Sequence, residues 1–190
     1  MSSIYIQEQT FNKTSGDFQT KEIEFEDCVF TSCNLSRGNF TNSKFINCKF
    51  VDCDLSGAIL TGTSFQEVKF INCKMMGLIF EVCDVFGLSF TFEKCQLSYS
   101  SFFKLKLKRT HFINSNLQHV DFSQTELSEA IFQNCDLEKA TFSQTILEKA
   151  DFRSSFNYTI DPEENKIAKA KFSVTGLTGL LAKYNIKIEH

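Results

Sequence analysis

The chain has 190 residues, a formal net charge of −3, 42% hydrophobic and 14% aromatic residues, and among them 22 Phe, 8 Cys, 1 Pro and no Trp. That length suits one domain with a real core, because folding at this size buries roughly 70% of the unfolded surface. The near-neutral balance excludes bulk electrostatic attraction to nucleic acid or an anionic membrane. No stretch approaches the roughly 18 apolar residues of a membrane span, and MSSIYIQEQTFNK has no basic run leading into an apolar one, so a cytoplasmic protein is expected.

Residues 1–22 are expected to form an N-terminal cap, with Tyr5, Ile6 and Phe11 in the segment from Ile4 to Phe18 covering an open end. From Phe25 a large apolar residue recurs every fifth position: Phe30, Leu35, Phe40, Phe45, Phe50 and onward through Phe80, Val85 and Phe90. After two extra residues, placed near Thr91 and Phe92, the register resumes at Leu97 and runs to Phe152. Two places before each centre stands a mostly small residue, such as Cys28, Cys33, Gly38, Ser43, Ala58, Thr110 or Ala130. Neither position is ever charged, although 23% of the chain is. Both therefore point inward, as residues two apart do in a strand, with the residue between them outside and the last two of each five turning a corner.

One five-residue side cannot bury a Phe alone, so the chain must coil and stack coil on coil. A period of 20 gives uniform columns: Phe30, Phe50, Phe70, Phe90, Phe112, Phe132 and Phe152 in one, and Leu35, Leu55, Met75, Leu97, Leu117 and Leu137 in another. The sequence thus predicts a four-sided, all-β parallel solenoid over 23–154. At roughly 4.8 Å between strands it is about 30 Å long.

All eight Cys (28, 33, 48, 53, 73, 83, 95 and 135) take the inward position before a centre, which makes them small apolar fillers and neither disulfide nor metal partners. His111 and His119 are expected at the surface with no nucleophile beside them, and whether His190 is native is open. No GxGxxG, P-loop or HExxH occurs. No cofactor, metal or catalytic residue is predicted.

The outward charge is uneven. Between Asp121 and Phe152 the acids Asp121, Glu126, Glu129, Asp136, Glu138, Glu148 and Asp151 face only Lys139 and Lys149, 7 against 2. That local density is close to the charge that duplex DNA carries over the same length, at one per roughly 1.7 Å. Over 23–154, 16 acids meet 13 bases, a net of −3, where DNA over about 30 Å would carry about 18 charges; imitation of DNA is local at best. Lys104, Lys106, Lys108 and Arg109 form an outward basic stretch, and Phe86, Tyr99 and Phe103, joined by Ile71, Met76 and Ile113, fall on outward or corner positions as a contact surface.

Residues 155–190 are expected to cap the other end. Asp161-Pro162-Glu163 reads as a turn or brief helical start. Ser173 to Tyr184 carries Val174, Leu177, Leu180, Leu181 and Tyr184 at helical spacing, and Ile186 and Ile188 alternate as a terminal strand. These seven apolar residues exceed what a cap requires and predict a homodimer joined there, with a cap within one chain as the alternative.

CNLSR, CDLSG, SNLQH, VDFSQ, CDLEK and ADFRS stand in this sequence almost as the pentapeptide-repeat motif is written. The chain resembles that family from Ile23 to Ser154, which implies a right-handed quadrilateral parallel β-helix with a short C-terminal α-helix and no enzymatic activity. Its layout is similar to the Qnr-type quinolone-resistance proteins and the microcin B17 and albicidin immunity proteins. That similarity implies a protein partner, DNA gyrase or topoisomerase IV, without direct nucleic-acid binding. A scaffolding repeat protein with another protein partner is the alternative. Qnr-type loops are missing here apart from the two-residue insertion.

Overall fold

The computed structural model describes residues 4–14 and 20–187. Eleven short strands, all paired in parallel, form two of the four walls of a coil. The first wall is β1 (Ile4–Gln7), β3 (Ile23–Glu26), β5 (Lys44–Ile46) and β7 (Ser64–Gln66). The second is β2 (Thr10–Asn12), β4 (Val29–Thr31), β6 (Lys49–Val51), β8 (Val68–Ile71), β9 (Phe90–Glu93), β10 (His111–Ile113) and β11 (Ile131–Gln133). The third and fourth walls are single-residue bridges stacked coil on coil, such as Asn34 on Asp54 on Lys74 and Ser101 on Asp121 on Thr141. Through most of the coil each residue pairs with the one 20 positions on, as Phe45 does with Phe65 and Phe50 with Phe70; β1 and β2 pair 19 positions on, and β8 pairs with β9 22 positions on.

The coil forms because its inward columns are stacked rings. Phe30 lies 4.5 Å from Phe50, Phe50 5.1 Å from Phe70 and Phe112 5.0 Å from Phe132, all near-parallel. Neighbouring columns meet edge to face, as Phe102 does with Phe112 at 5.9 Å. Each such ring contributes about 1.5–3 kcal/mol by burial, and favourable ring geometry adds to that. The second corner residue of nearly every five takes the left-handed conformation, for example Asn47, Asn72, Asn114 and Asn134, where Asn is tolerated better than most side chains. The amide of Asn72 donates to Asp52 on the coil below at 2.6 Å, and that of Asn134 to Asn114 at 3.0 Å.

Three expectations are corrected. The second-wall column passes through Phe92, which pairs with Phe70 and lies 5.4 Å from it, and not through Phe90. The extra residues therefore precede Phe90: Val85, expected as a centre, is 68% exposed, a turn brings the Leu88 N–H to the Val85 carbonyl, and Ser89 re-enters by donating to the Phe65 carbonyl. Phe90 stays buried and turns its ring into the place Val85 leaves, 5.5 Å from Phe80 and 6.4 Å from Phe65. A Phe fills that hole where a Val would leave a cavity, and this decides the register.

Pairing also extends beyond 23–154. Residues 4–7 and 10–12 lie in parallel on β3 and β4 as a further rung. At the other end Lys166 and Lys171 bridge to Ile146 and Asp151, and Phe172 stacks on Phe152 at 5.4 Å. The first rung adds a wall edge at the N-terminal end.

The C-terminal helix α1 spans only Leu177–Leu181, followed by a 3-10 turn at Ala182–Tyr184. Gly176 and Gly179 explain both its brevity and its position: a Cβ on Gly179 would sit 2.1 Å from the Tyr158 carbonyl oxygen, and one on Gly176 1.8 Å from the Tyr158 hydroxyl. The helix can lie on the coil end only because both are glycines. Ile186 does not form a strand, and Ile188 lies outside the described residues.

Candidate partner-binding surfaces

The interior is filled, so chemistry or recognition must use the outer walls. All eight Cys are buried and unbridged. Seven of the thiols, all but that of Cys83, donate to main-chain carbonyls, as Cys135 does to Phe112 at 3.3 Å and Cys48 to Phe25 at 3.4 Å. Burial pushes the thiols of Cys48, Cys83 and Cys135 up to about 12. Among the described residues no cluster of His, Cys, Asp and Glu is arranged to hold a metal ion, and no helix is long and apolar enough to cross a membrane.

The seven acids expected to act together are distributed around the coil. Asp121 lies on the fourth wall, Glu126 and Glu148 on the first, Glu129 at the corner between first and second, Asp136 and Glu138 on the third, and Asp151 on the second. Three meet cations locally, Glu138 through Lys139 at 4.0 Å. Glu129 pairs with Arg109 at 3.0 Å and Lys108 at 3.5 Å, and the Arg109 guanidinium holds its carboxyl below the usual range. Asp151 receives two Arg153 nitrogens at 3.0 and 2.7 Å, which lowers it likewise. Asp136 is tied to Gln118 and Asn157 at 2.7 and 2.9 Å, and Glu138 reaches Gln118 at 3.4 Å. Asp121, Glu126 and Glu148 remain as a short acidic run across the fourth and first walls.

The contact residues divide more clearly. Phe86 is 79% exposed at the tip of the 85–88 turn. Phe103 is half-buried beneath the Lys104 ammonium, 4.7 Å from its ring centre. Tyr99 is exposed at the opposite corner of the fourth wall, stacked on His119 at 4.6 Å. Lys104, Lys106, Lys108 and Arg109 are all exposed. Met76 is exposed too, whereas Ile71 and Ile113 are half-buried.

Sequence reasoning missed the centre of this surface. Ile59, Ile79, Val82 and Val85 are all exposed; Ile59 and Ile79 stand in the fourth-wall column, and Val82 closes the 3-10 turn Phe80–Val82 that follows it. The signal was present: Ile59 and Ile79 stand between two inward residues, a place held by Asn39 and Asp121 elsewhere in the same column. An apolar side chain there has no core to enter.

At the C-terminal end Val174, Leu177, Leu181, Tyr184 and Ile186 are exposed, and Leu180 packs partly on the core. Lys183 bridges Asp161 at 2.8 Å and Glu163 at 2.6 Å, and the Tyr184 hydroxyl donates to Glu163 at 2.8 Å, fastening the helix to the 161–163 turn. Asp161 forms that turn by accepting the Glu163 N–H at 2.8 Å.

A family model described as pentapeptide repeat region matches residues 23–91 and 89–157. The chain belongs to the pentapeptide-repeat family. Among solved pentapeptide-repeat structures, full-length QnrB1, a plasmid-mediated fluoroquinolone resistance protein, matches with a TM-score of 0.64 at 14% identity, covering 96% of this chain and 100% of QnrB1. A trypsin-treated QnrB1 variant matches with a TM-score of 0.63 at 14% identity, covering 100% of both chains. At that identity the likeness is one of fold. No curated protein matches the sequence.

Proposed function

We propose that this pentapeptide-repeat rod is a non-enzymatic protein-binding module whose partner is a type II topoisomerase, DNA gyrase or topoisomerase IV, and that it protects the enzyme from quinolones or peptide toxins. The observation that carries the protein-binding part is the exposed apolar strip of Ile59, Ile79, Val82, Val85 and Phe86. Large apolar side chains gathered on neighbouring outer positions support a contact site. A filled core lined by Phe and Leu supports a role without chemistry. The full-length likeness to a fluoroquinolone resistance protein supports the choice of partner.

Local DNA mimicry rests on Asp121, Glu126 and Glu148, the acids on adjoining walls that form no ion pair among the described residues. The rod pairs with a second copy through Val174, Leu177, Leu181, Tyr184 and Ile186. Supercoiling by purified gyrase is to be measured with ciprofloxacin and increasing rod. Recovery of supercoiling supports the reading, with Ile79→Asp and Phe86→Asp abolishing it. Unchanged inhibition at micromolar rod overturns the topoisomerase assignment.

A further inference from the structure

In a regular coil of this rod, three main-chain groups of each five reach back to the preceding coil. At Glu126–Ser128 all three are paired: the Glu126 N–H donates to the Leu105 carbonyl, and the Glu126 and Ser128 carbonyls accept from Leu107 and Arg109, at 2.8–3.0 Å. One coil earlier the equivalent groups are the Lys106 N–H and the Lys106 and Lys108 carbonyls. Among the described residues none of these three meets a main-chain partner. The cause is the 85–88 excursion, which carries the preceding strand out of the wall. Gly87 leans towards Gln66, on the side away from Lys106.

The gap is a cavity of about 410 Å³ between Lys106–Thr110 and the re-entering Leu88–Phe90 segment. Four cations line it, Lys69, Lys106, Lys108 and Arg109, against one carboxylate, Glu67. Lys108 and Arg109 share Glu129. No carboxylate pairs with Lys69 or Lys106 among the described residues.

We infer that this notch is a docking site for an extended acidic peptide segment of a partner protein. The segment lies along the free edge of Lys106–Lys108. Its amides donate to the Lys106 and Lys108 carbonyls, as an added strand does at any open sheet edge. Its alternate acidic side chains face Lys69 and Lys106. Uncompensated positive charge selects the sign of the partner, and the open main chain selects its extended form. This site stands whether or not the partner is a topoisomerase.

The test is fluorescence anisotropy of the full chain with a labelled Val-Glu-Ala-Glu-Val peptide, alongside the same peptide N-methylated at alternate amides and a Val-Lys-Ala-Lys-Val peptide. The unmodified acidic peptide is expected to bind at least about tenfold more tightly than either control and to weaken as salt rises. Two variants locate the site. Deleting Gly87 and Leu88 restores a 20-residue coil and closes the notch, and Lys69→Glu with Lys106→Glu changes only outward side chains; each is expected to reduce binding at least about tenfold while the folded circular dichroism spectrum is retained. Equal binding by the N-methylated peptide, undiminished binding by the deletion variant, or no binding of the acidic peptide to the unaltered chain overturns the inference.

Discussion

Phe92 lies in register with Phe70 on the second wall, rings 5.4 Å apart and near-parallel, and it stacks equally on Phe112 at 5.3 Å. The column of aromatic rings is therefore continuous across a coil two residues longer than its neighbours. Phe92→Ala opens a hole in the middle of that stack and is expected to cost about 3–5 kcal/mol. Val85→Ser, at a position that follows the repeat in sequence but lies in solvent, is expected to stay within about 0.5 kcal/mol of the parent. Urea unfolding of the two variants checks this; a larger loss at Val85 than at Phe92 would place the insertion where the bare period puts it.

That pair also marks what the sequence could and could not tell. The four walls, the burial of every thiol and the Leu and Phe columns follow from a period of five with alternate residues inward, because every repeat repeats the same local decision. The insertion breaks that logic. Period alone treats Val85 and Phe90 as equivalent centres, and only ring volume against the hole at Phe65 and Phe80 favours Phe90 and Phe92. The exposed Ile59 and Ile79 were readable by position but hidden by composition, since an apolar residue among apolar neighbours looks like core. The short helix was unreadable for another reason: the contact of Gly176 and Gly179 with Tyr158 joins residues that no periodicity links.

Gly179→Ala tests that contact. Its Cβ would meet main-chain oxygen, which cannot rotate away, so the helix must lift from the coil end. Overpacking of this kind costs about 1–3 kcal/mol, and the loss is expected to be local. Limited trypsin digestion should then cut at Lys183 far faster than in the parent, while the coil stays intact. Unchanged cleavage would mean the helix is held by the Lys183 bridges alone.

Dimerisation through the same helix predicts that Leu177→Asp and Leu181→Asp give a rod sedimenting at half the parent mass, with unfolding of the coil unaffected. Both side chains are exposed, so a charge there disturbs only a neighbour across an interface. Parent and variants sedimenting alike as monomers would leave the helix as a cap for one chain.

The pH response of this end follows from Lys183. Its ammonium holds the carboxyls of Asp161 and Glu163 below their usual values. A group with a lowered folded pKa contributes stability that is present above its unfolded value and is lost as pH falls through the folded one. With unfolded values of about 3.9 and 4.3, the fastening is complete at neutral pH and weakens below about pH 4. Protection factors of amides 177–184, corrected for the pH dependence of intrinsic exchange, should fall across that range, and Lys183→Met should remove the transition and leave protection low throughout.

Thiol chemistry gives the sharpest check on the filled interior. Reaction with a disulfide reagent requires thiolate and access. Burial raises Cys48, Cys83 and Cys135 to about 12, and all eight thiols are enclosed. At pH 8 the folded chain is therefore expected to show almost no reaction with Ellman's reagent over minutes, and all 8 Cys should react at once in guanidinium. Cys83 lies next to the 85–88 excursion and is 7% exposed, the most of the eight, so it should be the first to react as denaturant is raised below the unfolding midpoint. Early reaction of Cys53 or Cys73, deep in the third-wall column, would instead show that the coil opens at its middle and that the aromatic stack does not hold it as a unit.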